Sequence, residues 1–231
     1  MFRKRNRSII ISYISLRRLI GILGMLLPFI CVLGGFLFSD LPVRSSISSY
    51  YHTNMRDFFV GLLVGVSLFL LTYKGYERID NIVTSIIGLT GLGVAIFPCL
   101  NSIVSTEPVG IFQINPAISN KIHLVSAFTF FFLLAINSIF IFTLTKSKDI
   151  PKTRNKKMRN YIYIGCGIII LLSLLILFIR SLVGEQAENS KILLLFETIM
   201  LLAFGISWLV KGETLFKDKP KNFKNKVAAA K

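Results

Sequence analysis

Acidic residues are scarce in this chain, 11 of 231, and histidine occurs only twice. Charged residues make up 16%, well under the roughly 25% of an average soluble protein, while 53% are hydrophobic and 12% aromatic. That balance excludes disorder, collagen-like sequence and an ordinary globular enzyme. The three cysteines, Cys31, Cys99 and Cys166, have no paired spacing, so neither a disulfide framework nor a cysteine-type zinc site is indicated. Neither an HxxxH nor an HExxH is present, so the usual helical metal-binding spacings are missing. A G-x-S-x-G nucleophile elbow is also absent.

What the chain has is long apolar runs and cations: mean hydropathy is +0.68 and Lys plus Arg number 27. Six stretches, residues 19–38, 58–73, 82–97, 122–144, 161–179 and 192–210, predict membrane-spanning helices, since roughly 30 Å of hydrocarbon takes about 20 residues at 1.5 Å each. The first is too long for a signal-peptide core and lacks a small-x-small cleavage site after it. The expected fold is therefore an all-α transmembrane bundle of six helices. It divides into a basic segment 1–18, the transmembrane domain 19–210 and a basic tail 211–231.

The cations are sorted. The two ends of the chain and the connections near 74–78 and 146–159 hold 22 of the 27, and the other face holds only Arg44, Arg56, Lys121, Arg180 and Lys191. Lys and Arg in short loops mark the cytoplasmic side, which predicts a multi-pass inner-membrane protein with both termini cytoplasmic. The expected partners are the bilayer and, at that face, anionic lipid headgroups. Nucleic acid is not expected, because no basic motif is interleaved with aromatics.

Small residues predict the packing. Gly61 and Gly65 form a GxxxG, with Asp57 one turn earlier on nearly the same face and hence expected to point inward. Thr84, Gly88, Gly91 and Ala95 form a second stripe, making spans two and three the expected tightest pair. In span four His123, Ser126, Phe130 and Asn137 share a side, a thin polar stripe that must face protein or water. Trp208 is placed as an aromatic-belt residue near the cytoplasmic boundary.

With that orientation His52, Arg56, Asp57, His123, Arg180 and Glu197 gather at or just below the outer face. An ionisable residue inside a membrane is costly and therefore a candidate functional group. Together with Ser126 these are the candidate ligand-binding residues of an outward-facing polar pocket for a lipid headgroup or small polar ligand. The bland alternatives are a helix-start role for Asp57, an ion pair of Glu197 with Arg56 or Arg180, and interfacial histidines. A metal-dependent lipid hydrolase, with zinc on His52, His123, Asp57 and Glu197, is one competing reading. A scaffold without a pocket is another. The serine- and tyrosine-rich stretch 45–51 is expected at headgroup level, and the long segment 101–120 as a lid or linker over the pocket.

The run Ser46-Ile47-Ser48-Ser49-Tyr50-Tyr51-His52, then Arg56-Asp57-Phe58-Phe59-Val60-Gly61, resembles a group of small bacterial six-span membrane proteins without an assigned activity. Glu197, Ala203-Phe204-Gly205-Ile206-Ser207-Trp208 and Lys211-Gly212 carry the same likeness. More distantly the chain is similar to the Frag1/DRAM/Sfk1 family, implicated in lipid handling. The resemblance implies the six-span architecture and an emphasis on Asp57, His123 and Glu197.

Overall fold

The computed structural model describes residues 2–75, 77–100, 108–144, 153–183 and 191–217. Among these residues six α-helices follow one another: α1 (Phe2–Ser39), α2 (Arg56–Thr72), α3 (Arg78–Ile96), α4 (Pro116–Ile136), α5 (Arg154–Val183) and α6 (Ile192–Lys211). A short 3-10 helix (Ser48–His52) stands between α1 and α2, and α4 continues into a π-turn at Asn137–Ile141. Among the described residues there is no strand. Five helical stretches are long and apolar enough to cross a membrane: Tyr13–Ser39, α3, Pro116–Ile141, α5 and α6. At 17 residues, α2 reaches only about 25 Å.

Each helix packs against its neighbours in sequence, and α1 closes against α6. The contacts run antiparallel. Gly21 of α1 meets Gly205 of α6, Gly88 and Gly91 of α3 meet Ser67 of α2, Gly93 meets Ser126 of α4, and Gly167 of α5 meets Ala135. The result is a ring of six helices, with α4 touching α6 only lightly across it. A Cβ at Gly88 would lie 2.7 Å from the Ser67 carbonyl, so glycine is what lets α3 approach α2 so closely. Thr84, Gly88, Gly91 and Ala95 are all buried, as the stripe predicts, and α2–α3 is the most extensive helix pair.

The second stripe behaves differently. Nothing lies within 4 Å of where a Gly61 Cβ would be, and Leu23 lies only at 4.0 Å from that of Gly65. Asp57, on that face, is exposed, which corrects the expectation that it points into the bundle. The GxxxG spacing shows that small residues recur, not which neighbour they meet. An equally close crossing joins α1 to α6, where Gly21 and Gly205 put each other's carbonyls 2.7–2.8 Å from the missing Cβ positions.

The ring is filled in two layers. One holds Ile20, Leu70, Tyr73, Phe130, Phe142, Tyr163, Phe204 and Trp208. The other holds Leu27, Cys31, Ile47, Tyr50, Tyr51, Phe59, Leu63 and Leu201. Trp208 is 1% exposed and stands edge-on to Tyr73 and Phe142, with ring centroids 5.1 Å away in each case. It is a core residue and not the belt residue its position implied. The outer surface, by contrast, carries large apolar side chains such as Leu33, Leu89, Leu172 and Leu195, the reverse of a water-soluble surface.

The two ends of the ring differ. At the terminal end, where α1 begins, α2, α4 and α6 end and α3 and α5 begin, cations close helix C-termini, whose carbonyls carry the negative end of the helix dipole. Arg18 Nε donates to Gly212 O of α6 at 2.8 Å, and Lys156 Nζ to Phe142 O at 3.2 Å beyond α4. The opposite end is built around the loop between α1 and α2.

Candidate functional site

That loop turns inward. Ile47, Tyr50 and Tyr51 are at most 3% exposed, so the Ser48–His52 helix is a plug in the mouth of the ring. The rings of Tyr50 and Tyr51 are thus packed inside the protein, which corrects the expectation that they meet a lipid headgroup. Burying such a segment demands partners for its backbone, and α6 supplies them. Leu194 N donates to Ser45 O at 2.9 Å, and Lys191 Nζ donates to Val43 O. One turn deeper, the Glu197 carboxylate accepts from Ile47 N–H, from the Ser48 backbone and from Ser48 Oγ–H at 3.3 Å. The plug thus presents the N-terminus of its 3-10 turn, a place for negative charge, to what is, among the described residues, the only carboxylate well inside a helix of this end. Neither Arg56 nor Arg180 takes that position.

The histidines serve the same mouth. Three consecutive carbonyls beyond α3 are each satisfied by a side chain: His123 Nδ1–H donates to Phe97 O at 2.8 Å, Ser119 Oγ to Pro98 O at 2.9 Å, and His52 Nε2–H to Cys99 O at 2.8 Å. These bonds pin the chain where α3 ends. Burial pushes the His52 imidazole below its ordinary value of 6.5; Arg44 and Arg56 push the same way, against the Cys99 carbonyl, which favours the charged ring. Arg56 donates through Nη2 to Tyr51 Oη at 2.9 Å and lies over that ring. Part of the long connection, residues 108–112, folds over this region: Gly110, at φ 102°, approaches Pro98 and Tyr51, and Phe112 stacks on Phe97. Residues 101–107 of the expected lid lie outside the described residues.

Beside the plug, a cavity of about 350 Å³ opens between α4, α5 and α6. Its walls are apolar, with Ala127, Phe128 and Phe131 from α4, Leu174 and Leu177 from α5, and Met200 from α6. Polar groups come only from Arg180, Ser181 and Glu197. A second void, about 30 Å³, lies on the plug side and is lined by Ile47, Ser48, Phe59 and again Glu197. Glu197 therefore stands in the wall between the lateral cavity and the plug.

The seven candidate residues do not share one pocket. Arg180 and Glu197 line the lateral cavity, His52, His123 and Arg56 brace the plug and the end of α3, and Asp57 is exposed on α2. Ser126 is half-buried against Gly93. Among the described residues no three His, Cys, Asp or Glu side chains stand close enough to hold a metal ion, so His52, His123, Asp57 and Glu197 do not form the zinc set considered above. Two buried polar groups stand outside these seven candidates. Asn137, 1% exposed at the π-turn, keeps a carboxamide with no hydrogen-bond partner among the described residues, as does the Ser67 hydroxyl. The place of Asn137 on the polar stripe was the signal for its burial. No known protein family, curated protein or solved structure matches the chain at a significant level.

Proposed function

We propose that this is a six-span inner-membrane protein, both termini cytoplasmic, that binds one membrane lipid in the lateral cavity between α4, α5 and α6. The observation that carries the reading is the cavity wall: apolar along its length, with Arg180, Ser181 and Glu197 at the plug end. Such an amphipathic lining suits an amphiphile whose tail lies against Phe131, Leu177 and Met200 and whose headgroup reaches the polar end. A volume of about 350 Å³ is at the small end of ligand sites, enough for part of one chain. The surrounding apolar surface makes the bilayer itself the source.

The test is native mass spectrometry of protein extracted in mild detergent. The wild type should retain a lipid adduct of defined mass, and Ala127→Phe, which fills the cavity from α4, should lose most of it with little change in thermal midpoint. Equal retention by Ala127→Phe sinks the proposal.

A further inference from the structure

The lateral cavity does not end in solid packing. Ala127, Phe131 and Glu197, which line it, also line the void of about 30 Å³ under the plug. That void continues in turn, since Leu27, Leu63, Phe130 and Leu201 border both it and a third space of about 10 Å³ between α1, α2 and α6. Three spaces thus adjoin in a row across the ring. Because α4 and α6 touch only lightly, the partition between the first two is made by side chains reaching across and not by helix packed on helix.

Depth along the helices separates the roles of these side chains. On α5, Ser181 lies toward the plug end and Leu174 lines the cavity two turns deeper, about 10 Å along the axis. On α4, which starts from the plug end at Pro116, the lining runs from Leu124 down to Phe131. Phe131 therefore stands at the floor, whereas Glu197 stands partway up the wall. The Phe131 ring is half-buried and edge-on to Phe130, with centroids 5.3 Å apart, so the floor is one ring backed by a second that borders both inner spaces. A chain in this cavity and a chain in the bilayer are equally out of water. Selection by length must then come from where the cavity is blocked, because a chain too long for the wall has to displace packed atoms. We infer that Phe131 sets the length of acyl chain that the lateral cavity accepts, its ring stopping the terminal methyl. This rests on the lipid reading above and names the preferred class: lipids whose chain ends at the ring, over the longer-chain lipids around them. The space behind Phe131 becomes available to a chain only when the ring is removed.

The full chain in mild detergent is offered dilauroyl, dimyristoyl, dipalmitoyl and distearoyl phosphatidylglycerol in equal amounts, and in a second series the corresponding phosphatidylethanolamines. Retained species are weighed by native mass spectrometry. The wild type should retain the shorter species over the distearoyl one. Phe131→Ala should raise the ratio of distearoyl to dilauroyl adduct at least about fivefold, the lower end of the penalty for forcing extra methylenes into filled space. Leu201→Phe added to Phe131→Ala refills the inner void from α6, where Leu201 is buried, and should return the ratio to that of the wild type. Loosened packing alone would not be reversed in this way. If Phe131→Ala does not fold, Phe131→Leu should move the ratio severalfold in the same direction. Adducts retained at an unchanged ratio, or a shift that Leu201→Phe leaves in place, overturn the stop while leaving the lipid site standing. Absence of any adduct from the wild type removes the lipid reading, and this inference with it.

Discussion

A carboxylate survives inside a helix bundle only where donors converge on it. Glu197 meets that condition through a segment 150 residues away, the Ile47 and Ser48 turn. One glutamate therefore does two things: it holds the plug and it forms the polar end of the lateral cavity. His52 is the complementary case, a titratable ring donating to Cys99 O. Its folded value lies below 6.5, first through burial and then through Arg44 and Arg56. As pH falls the unfolded chain takes up this proton before the folded one. The His52 contribution is therefore complete above 6.5 and is lost as pH drops through the folded value. Thermal midpoints measured in nanodiscs should fall between pH 7.5 and pH 5. In His52→Gln, which keeps an N–H for Cys99 O but cannot titrate, that fall should be smaller; an identical fall in the variant refutes the assignment.

At the scale of elements, glycines divide by what they face. An alanine at Gly205 would place Cβ 2.1 Å from Met25 Cγ and 2.7 Å from Gly21 O, so Gly205→Ala should destabilise the bundle by about 1–3 kcal/mol through overpacking. Gly61 has open space around it, and a helix-interior glycine costs about 0.5–1 kcal/mol relative to alanine. Gly61→Ala should therefore stabilise by about that amount. Thermal or denaturant unfolding of the two variants side by side decides it, and a destabilised Gly61→Ala would contradict the packing. These glycines also mark what was legible in the sequence. The α3 stripe could be read because Thr84, Gly88, Gly91 and Ala95 recur at the helical period and the partner helix is the neighbour in sequence. Gly21 and Gly205 could not, because α1 and α6 meet only after the whole ring closes. The plug was hidden for the same reason. Ser46 to Tyr51 reads as a polar, aromatic surface loop until Leu194 and Glu197 are seen to satisfy its backbone. Of the candidate site, the sequence assigned all seven residues to one end of the bundle, but could not separate residues that brace the mouth, such as His52 and His123, from Arg180 and Glu197, which line the cavity.

For the whole molecule the charge is a direction. The terminal-end segments hold 22 cations and five carboxylates, whereas the plug end holds five cations and six carboxylates. Cations resist translocation, so the terminal end should face the cytoplasm. The weak point of that topology is α2, whose 17 residues reach about 25 Å and span the hydrocarbon only at the lower limit of usual lengths. Its position between α1 and α3 in a closed ring argues that it crosses, since a helix lying in the interface could not pack along both neighbours. Cysteines introduced one at a time at the exposed positions Ser39, Lys74 and Lys217, in a Cys99→Ser background whose remaining Cys31 and Cys166 are buried, separate the possibilities. With a membrane-impermeant maleimide on intact cells, Ser39→Cys should label at once. Lys74→Cys and Lys217→Cys should label only after permeabilisation. Labelling of Lys74→Cys from outside would mean that α2 does not cross, and labelling of Lys217→Cys with protection of Ser39→Cys would invert the whole assignment.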